Sequence, residues 1–231
     1  MLICESLSQS GTYHVRSGAD NEDRIAIRSG GGLTTAVLCD GAGSFGAGAC
    51  AAALISEMLA SFLHTQFELL YGADGEESRM LLLERIERTL RAHARRTDTP
   101  VQELACTILA AAFHEDGRCL CLHLGDGIIL QKNRCEARTS VVSCPMTGLV
   151  PHSTYLTMNC DLHSYLRMYR WQSRELESLL LLSDGAAEHL VRLQGGDGWV
   201  YNGGEPDIRD IRERLGKCSP QDDHSAVLIR R

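Results

Sequence analysis

Lysine is nearly absent: Lys132 and Lys217 are the only two, and arginine supplies the rest of 23 basic residues against 30 acidic ones. Apart from the helical run Arg91, Arg95, Arg96, no basic cluster exists to release counterions from a duplex. A net charge of −7 therefore excludes nucleic acid and an anionic membrane as expected partners. Proline is scarce at 5 residues and glycine plentiful at 22, without collagen's repeat. No unbroken apolar run approaches the ~20 residues of a membrane span. The opening MLICESLSQSGTYHV lacks the basic-then-apolar order of a signal peptide. No C-x-x-C occurs, and the ten cysteines lie mostly inside apolar runs. They read as small core hydrophobes in a reducing, cytoplasmic setting.

What is present is ordinary globular composition, 44% hydrophobic and 23% charged over 231 residues. With no linker, repeat or low-complexity segment, residues 1–231 read as one domain. Strands are expected at 2–4, 24–28, 33–39, 128–131, 179–182 and 225–229, with a turn at Gly30–Gly31–Gly32. Residues 104–113 fit helix or strand, and the acidic turn and CLCLHL run behind them favour a strand hairpin that sets Cys119 and Cys121 on one face. Apolar spacing predicts helices over 46–66 and 76–96, the second carrying Glu84–Arg88 and Glu87–Arg91 pairs. A short helix is expected at 186–193, a loop at 195–204, and a last helix from Ile208 stopping at Gly216. Short strands are expected over 144–171, although DLHSYLRMYRW also fits a helix. Paired strands with helices grouped between them give an α+β class with antiparallel sheet.

Five aspartates stand at strand edges: Asp23, Asp40, Asp126, Asp184 and Asp222. Glycine follows three of them, as Gly41, Gly127 and Gly185, and Asp–Gly is also the commonest turn dipeptide. If these ends meet in space, the carboxylates cannot all stay ionised without cations. Oxygen donors alone select a hard ion, Mg²⁺ or Mn²⁺, and no close cysteine or histidine set invites zinc. The small-residue run DGAGSFGAG lacks the Lys–Ser/Thr of a phosphate-binding P-loop.

Six stretches in order carry a family likeness: GTYHVRSGADNEDR at 11–24, AVLCDGAGS at 36–44, ELACTILAAAF at 103–113, LHLGDG at 122–127, LLLLSDGAAEHL at 179–190 and DDHSAVLI at 222–229. Together they resemble the metal-dependent protein serine/threonine phosphatases of the PP2C (PPM) type, in their compact bacterial form. The resemblance implies a four-layer αββα sandwich, two central antiparallel β-sheets flanked by helices, with 104–113 as strand. It implies two ions and a weaker third. Asp40 would bridge the two, the Gly41 carbonyl would bind the second, and Asp184 and Asp222 would hold the first. Asp23, with Glu22 beside it, would order water on the second ion, and Asp126 with Asp184 would hold the third. Asp223 would be structural.

Two positions depart from the pattern. Gly18 stands where many members place a phosphate-contacting arginine, and Gly127 replaces a usual serine. The compact branch carries G-x-x-H, matched by Gly11 and His14, so His14 is the candidate phosphate contact or proton donor, with Arg16 as a second. The short span between Asp126 and Asp184 implies a reduced flap and an open rim. The implied activity is hydrolysis of phosphoserine and phosphothreonine in proteins, with the ions acidifying a bridging water and offsetting charge on the phosphoryl oxygens. No C-x-x-x-x-x-R loop offers a phosphocysteine route. A non-catalytic regulatory domain on the same fold, or a phosphatase of small phosphomonoesters, are the alternatives. The net charge favours basic phosphosites.

Overall fold

The structure is a computed structural model that describes residues 1–43, 45–146, 154–158, 162–194 and 198–231. Two five-stranded antiparallel sheets form its centre. One runs β1 (Ile3–Gln9), β12 (His224–Arg230), β9 (Leu176–Leu182), β6 (Ile128–Asn133), β7 (Ser140–Ser143). The other runs β2 (Arg24–Gly30), β3 (Leu33–Cys39), β4 (Ile108–His114), β5 (Arg118–Leu124), β8 (Arg167–Gln172). Helices α2 (Gly48–Thr65), α3 (Phe67–Gly72) and α4 (Gly75–Thr97) group beside the second sheet, α2 lying directly on β2 and β3. Helices α6 (Asp184–Leu190) and α7 (Ile208–Cys218) cover the first. This is the αββα sandwich.

The period-2 alternation of strands creates three cores from single sequences. On β4, Ile108, Ala110 and Ala112 face the α2–α4 layer, while Leu109, Ala111 and Phe113 face the other sheet. On β9, Leu180 and Leu182 face α6 and α7, while Leu179 and Leu181 point inward. Strands buried on both faces must be apolar throughout, which is why LLLLS and ILAAAF show no alternation. Cys119 and Cys121 share the inter-sheet face as expected, yet Cys135, Cys144 and Cys218 are exposed thiols, not core residues. Phe113 is fully buried between the sheets. Phe113→Ala is expected to cost about 3–5 kcal/mol, read from the urea midpoint.

Helix α2, at 18 residues and mean hydropathy 1.3, is long and apolar enough to cross a membrane by length and composition, although Ser56, Glu57 and Ser61 interrupt its apolar run. Its buried residues Ala52, Ile55, Leu59 and Leu63 pack instead into the helix–sheet core.

Several local expectations are corrected. Helix α7 passes Gly216 and ends at Cys218, with Ser219 taking the left-handed cap at φ 50°. The 195–204 loop contains β11 (Gly198–Tyr201), paired with β10 (Val191–Gln194), so the helix expected at 186–193 ends at Leu190. DLHSYLRMYRW divides into the turn α5 (Leu162–Tyr165) and strand β8. Residues 147–153 and 159–161 of the expected reduced flap lie outside the described residues. Two helices were not foreseen: α3, and α1 (Thr12–Ser17), which buries no residue. On α4, Arg91 pairs with Glu87 at 3.5 Å, but no ion pair among the described residues includes Arg88.

Candidate functional site

Antiparallel pairing gathers the strand-edge aspartates at one end of the sandwich. Arg24 pairs with Cys39, so Asp23 and Asp40 are next neighbours at the rim of β2 and β3. Ile108 pairs with Leu124, which sets the β5–β6 turn carrying Asp126 beside them. In the other sheet, Leu182 pairs with both Ile128 and Ala226. Asp184 and Asp222 therefore leave the same end.

Backbone contacts fix these ends. Thr107 N–H donates to the Asp40 carbonyl at 2.8 Å, and the Thr107 hydroxyl accepts from Asp40 N–H at 3.0 Å. Gly41 N–H donates to Glu22 O at 3.3 Å, and no backbone bond among the described residues ends on the Gly41 carbonyl. A Cβ on Gly41 would stand 2.5 Å from the Gly48 carbonyl carbon, and one on Gly185 would stand 2.2 Å from Asp223 O. Glycine after these aspartates thus lets α2 and the Asp222–Asp223 segment approach the rim.

The electrostatics record the convergence. Burial pushes Asp40 well above the usual carboxylate range, and the charges of Asp23, Asp184, Asp222 and Asp126 push it further. Asp184 is pushed up to about 7 by burial and then by Asp126 and Asp222; a hydrogen bond with Asp40 acts in the other direction. Asp23 reaches about 7 through burial, with the Asp184 and Asp223 charges adding. Ser225 and Ser183 lie near Asp23, yet both its oxygens are buried without a hydrogen bond of acceptable geometry. Asp126 is raised by burial, against a hydrogen bond from the Thr154 hydroxyl. Burial also raises Glu22, with Asp223 and Asp222 adding and His14 opposing.

Among the described residues, no three of these groups are closed around one point as a metal-ligand set. The residues nevertheless fit divalent ions. Their donors are oxygens, burial and neighbouring charges disfavour the ionised form of Asp40 unless a cation offsets them, and the Asp23 oxygens lack hydrogen-bond partners.

A cleft of ≈ 700 Å³ opens over this rim. Asp40, Gly41, Glu22, His14, Asp126 and Asp222 line it, while Asp23 and Asp184 lie outside its lining. His14 sits on α1, which ends at Gly18 in the left-handed conformation at φ 70°. An arginine there would be strained, which accounts for the glycine. Arg16, two positions from His14, is exposed and outside the cleft lining.

Asp223 organises the cleft's edge. Its carboxylate accepts from Gly11 N–H at 2.8 Å and Glu22 N–H at 2.6 Å, and meets His14 Nδ1 at 2.8 Å. Burial alone would lower the His14 pKa, but the close Asp223 carboxylate, with the charges of Glu22 and Asp222, raises it. Asp223→Ala strands two backbone donors, so a loss of about 2–4 kcal/mol is expected in thermal melts. Sequence reasoning missed Thr154 and the apolar wall of Phe45, Leu156 and Met158. The 144–171 stretch shows no periodicity that would have pointed to Thr154.

The family model for protein phosphatase 2C matches residues 10–222. Among solved structures, a variant of a bacterial serine phosphatase superposes with a TM-score of 0.71 at 18% identity, covering 100% of this chain and 98% of that one. The catalytic domain of the serine threonine protein phosphatase PstP, solved with two manganese ions, gives 0.69 at 17%, covering 99% and 97%. PppA, a key regulatory component of T6SS in Pseudomonas aeruginosa, gives 0.63 at 20%, again covering 99% and 97%. No curated protein sequence matches significantly. At these identities the superpositions establish the fold, and the family match spans nearly the whole sequence. The chain belongs to the protein phosphatase 2C family and is a metal-dependent protein serine/threonine phosphatase by that membership.

Proposed function

We propose that the chain releases phosphate from phosphoserine and phosphothreonine in proteins, with Mg²⁺ or Mn²⁺ held by the rim carboxylates. The observation that carries this reading is the convergence of four acidic charges on Asp40. Asp40, the Gly41 carbonyl, Asp184 and Asp222 would hold two ions, with Asp23 and Glu22 ordering water beside them. Asp126 and Asp184 would take a weaker third. Structures of the same fold solved with magnesium and with two manganese ions support the choice of ion. Bound ions supply a water acidic enough to react near neutral pH and positive charge for the phosphoryl oxygens.

The chain's own residues do the rest. The Asp223 carboxylate lies 2.8 Å from His14 Nδ1, which leaves Nε2 as the nitrogen available to the cleft that His14 lines. From there it can hold a phosphate oxygen or give a proton to the departing alkoxide. A raised His14 pKa keeps more of the ring in the donating form. Phe45, Leu156 and Met158 add apolar wall beside the carboxylates, which suits a peptide better than a sugar phosphate. We place the protein in the cytoplasm; its nine described cysteines are all free thiols.

The test compares a phosphothreonine peptide with sugar phosphates under Mn²⁺. Faster release from the peptide, stopped by EDTA and lowered roughly 10²-fold in His14→Gln, is expected. EDTA-insensitive release, or preference for sugar phosphates, would reject it.

A further inference from the structure

A second, basic groove lies between α2 and α4. Its volume is ≈ 370 Å³, and its lining is Arg85, Arg88, Thr89, His93 and Arg96 with Leu54 and Ala92. No carboxylate lines it, in a chain whose net charge is −7. Positions 85, 89, 92 and 96 recur at three and four residues, so they form one stripe along α4. The cations do not neutralise themselves locally. Despite the favourable i,i+4 order of Glu84 and Arg88, no ion pair among the described residues includes Arg88, Arg85 or Arg96. Arg85 lies 5.5 Å from the Phe62 ring centroid, its guanidinium over the aromatic face. Arg96 Nη2 approaches His93 Nδ1 at 3.2 Å, and His93 Nε2 lies 3.3 Å from Cys50 Sγ.

The groove is tied to the catalytic end. Cys50 lies in the first turn of α2, two residues after Gly48, which packs on Ala42 of the cleft lining. At its other end, α4 leads into the 3-10 turn Val101–Glu103, whose Gln102 also lines the cleft.

We propose that this groove docks an acidic segment of the substrate protein, its carboxylate or phosphate groups held by Arg85, Arg88 and Arg96. This rests on the reading of the chain as a protein phosphatase. Arg88 and Arg96 are eight residues apart, or roughly 12 Å along the helix. Two anionic side chains about four residues apart on an extended peptide match that span. The cleft itself is lined by Glu22, Asp40, Asp126, Asp222 and Asp223, with no arginine or lysine among its described lining residues to pair with such a segment, so recognition of acidic flanks falls to a separate surface. The groove thus reverses locally the preference for basic sites that the net charge alone suggests.

The test needs no catalysis. A fluorescein-labelled peptide with acidic residues four apart and no phosphoester is titrated into the full chain, with and without Arg88→Gln/Arg96→Gln, and anisotropy is read. Binding by the wild type, weakened about 10-fold in the double variant and abolished by 0.5 M salt, is expected. Equal binding by both proteins, or none by the wild type, overturns the proposal. So does equal competition by a single-stranded oligonucleotide, which would mark a surface for polyanions in general. Release from p-nitrophenyl phosphate under Mn²⁺ is measured in parallel. It should stay within twofold in the double variant, and its absence in the wild type would reject the phosphatase reading instead.

Discussion

Asp40→Asn is expected to lower Mn²⁺-dependent phosphate release by about 10³-fold or more, with the circular dichroism spectrum unchanged. The two outcomes separate because Asp40 has two jobs. Its backbone N–H and carbonyl bond to Thr107 and survive the substitution. Its carboxylate is the point on which Asp23, Asp184, Asp222 and Asp126 converge, and a neutral amide there no longer balances divalent charge. Steady-state release from a phosphothreonine peptide checks the prediction. Turnover within tenfold of the wild type would remove Asp40 from the centre of the site.

The second large effect is on stability, with opposite sign. In EDTA, Asp184→Asn is expected to melt several degrees above the wild type at pH 8, because it removes one of the mutually repelling carboxylates. The direction with pH follows from linkage. Asp184 and Asp23 are raised to about 7 in the folded chain, against about 3.9 unfolded. Between those values the native state binds more protons, so stability present below the unfolded pKa is lost as pH rises through 7. The melting difference between variant and wild type should therefore be small near pH 4, grow through pH 7 and level off above it. Millimolar Mn²⁺ should then raise the wild-type melting temperature at pH 8 more than the variant's, since ligands bound to the native state stabilise it. Differential scanning fluorimetry reads both arms, and a variant that melts lower than the wild type in EDTA at pH 8 contradicts the account.

How far this was legible in the sequence depends on how local the signal is. Strands such as Leu179–Leu182 and Leu33–Cys39 are written in apolar runs, because both faces are buried by different layers. Long helices α2 and α4 are written in their four-residue spacing. Asp–Gly at successive strand ends marked the rim, since close backbone approach at Gly41 and Gly185 demands glycine. The αββα layering came from the family likeness, not from composition.

What escaped has equally physical causes. Helix α1 buries nothing, so no periodicity announces it, and its first turn is held by Asp223 and by the Pro220 and Gln221 carbonyls, over two hundred residues away. The Asp223 carboxylate also lies 2.8 Å from His14 Nδ1, a contact its place in the sequence does not announce. Strand β11 is four residues long and needs β10 beside it to be a strand at all. Glu84 and Arg88 sit at favourable spacing, yet solvent competes well with such exposed pairs, and Arg88 turns to the groove. Thr154 reaches Asp126 across the cleft, a contact that only tertiary structure creates.

Anomalous diffraction from Mn²⁺-soaked crystals tests the metal centre most directly. The account predicts two strong peaks within coordination distance of the Asp40 carboxylate, one of them also bound by Asp184 and Asp222. Peaks confined to surface carboxylates, with the Asp40 oxygens unligated at millimolar Mn²⁺, would contradict it.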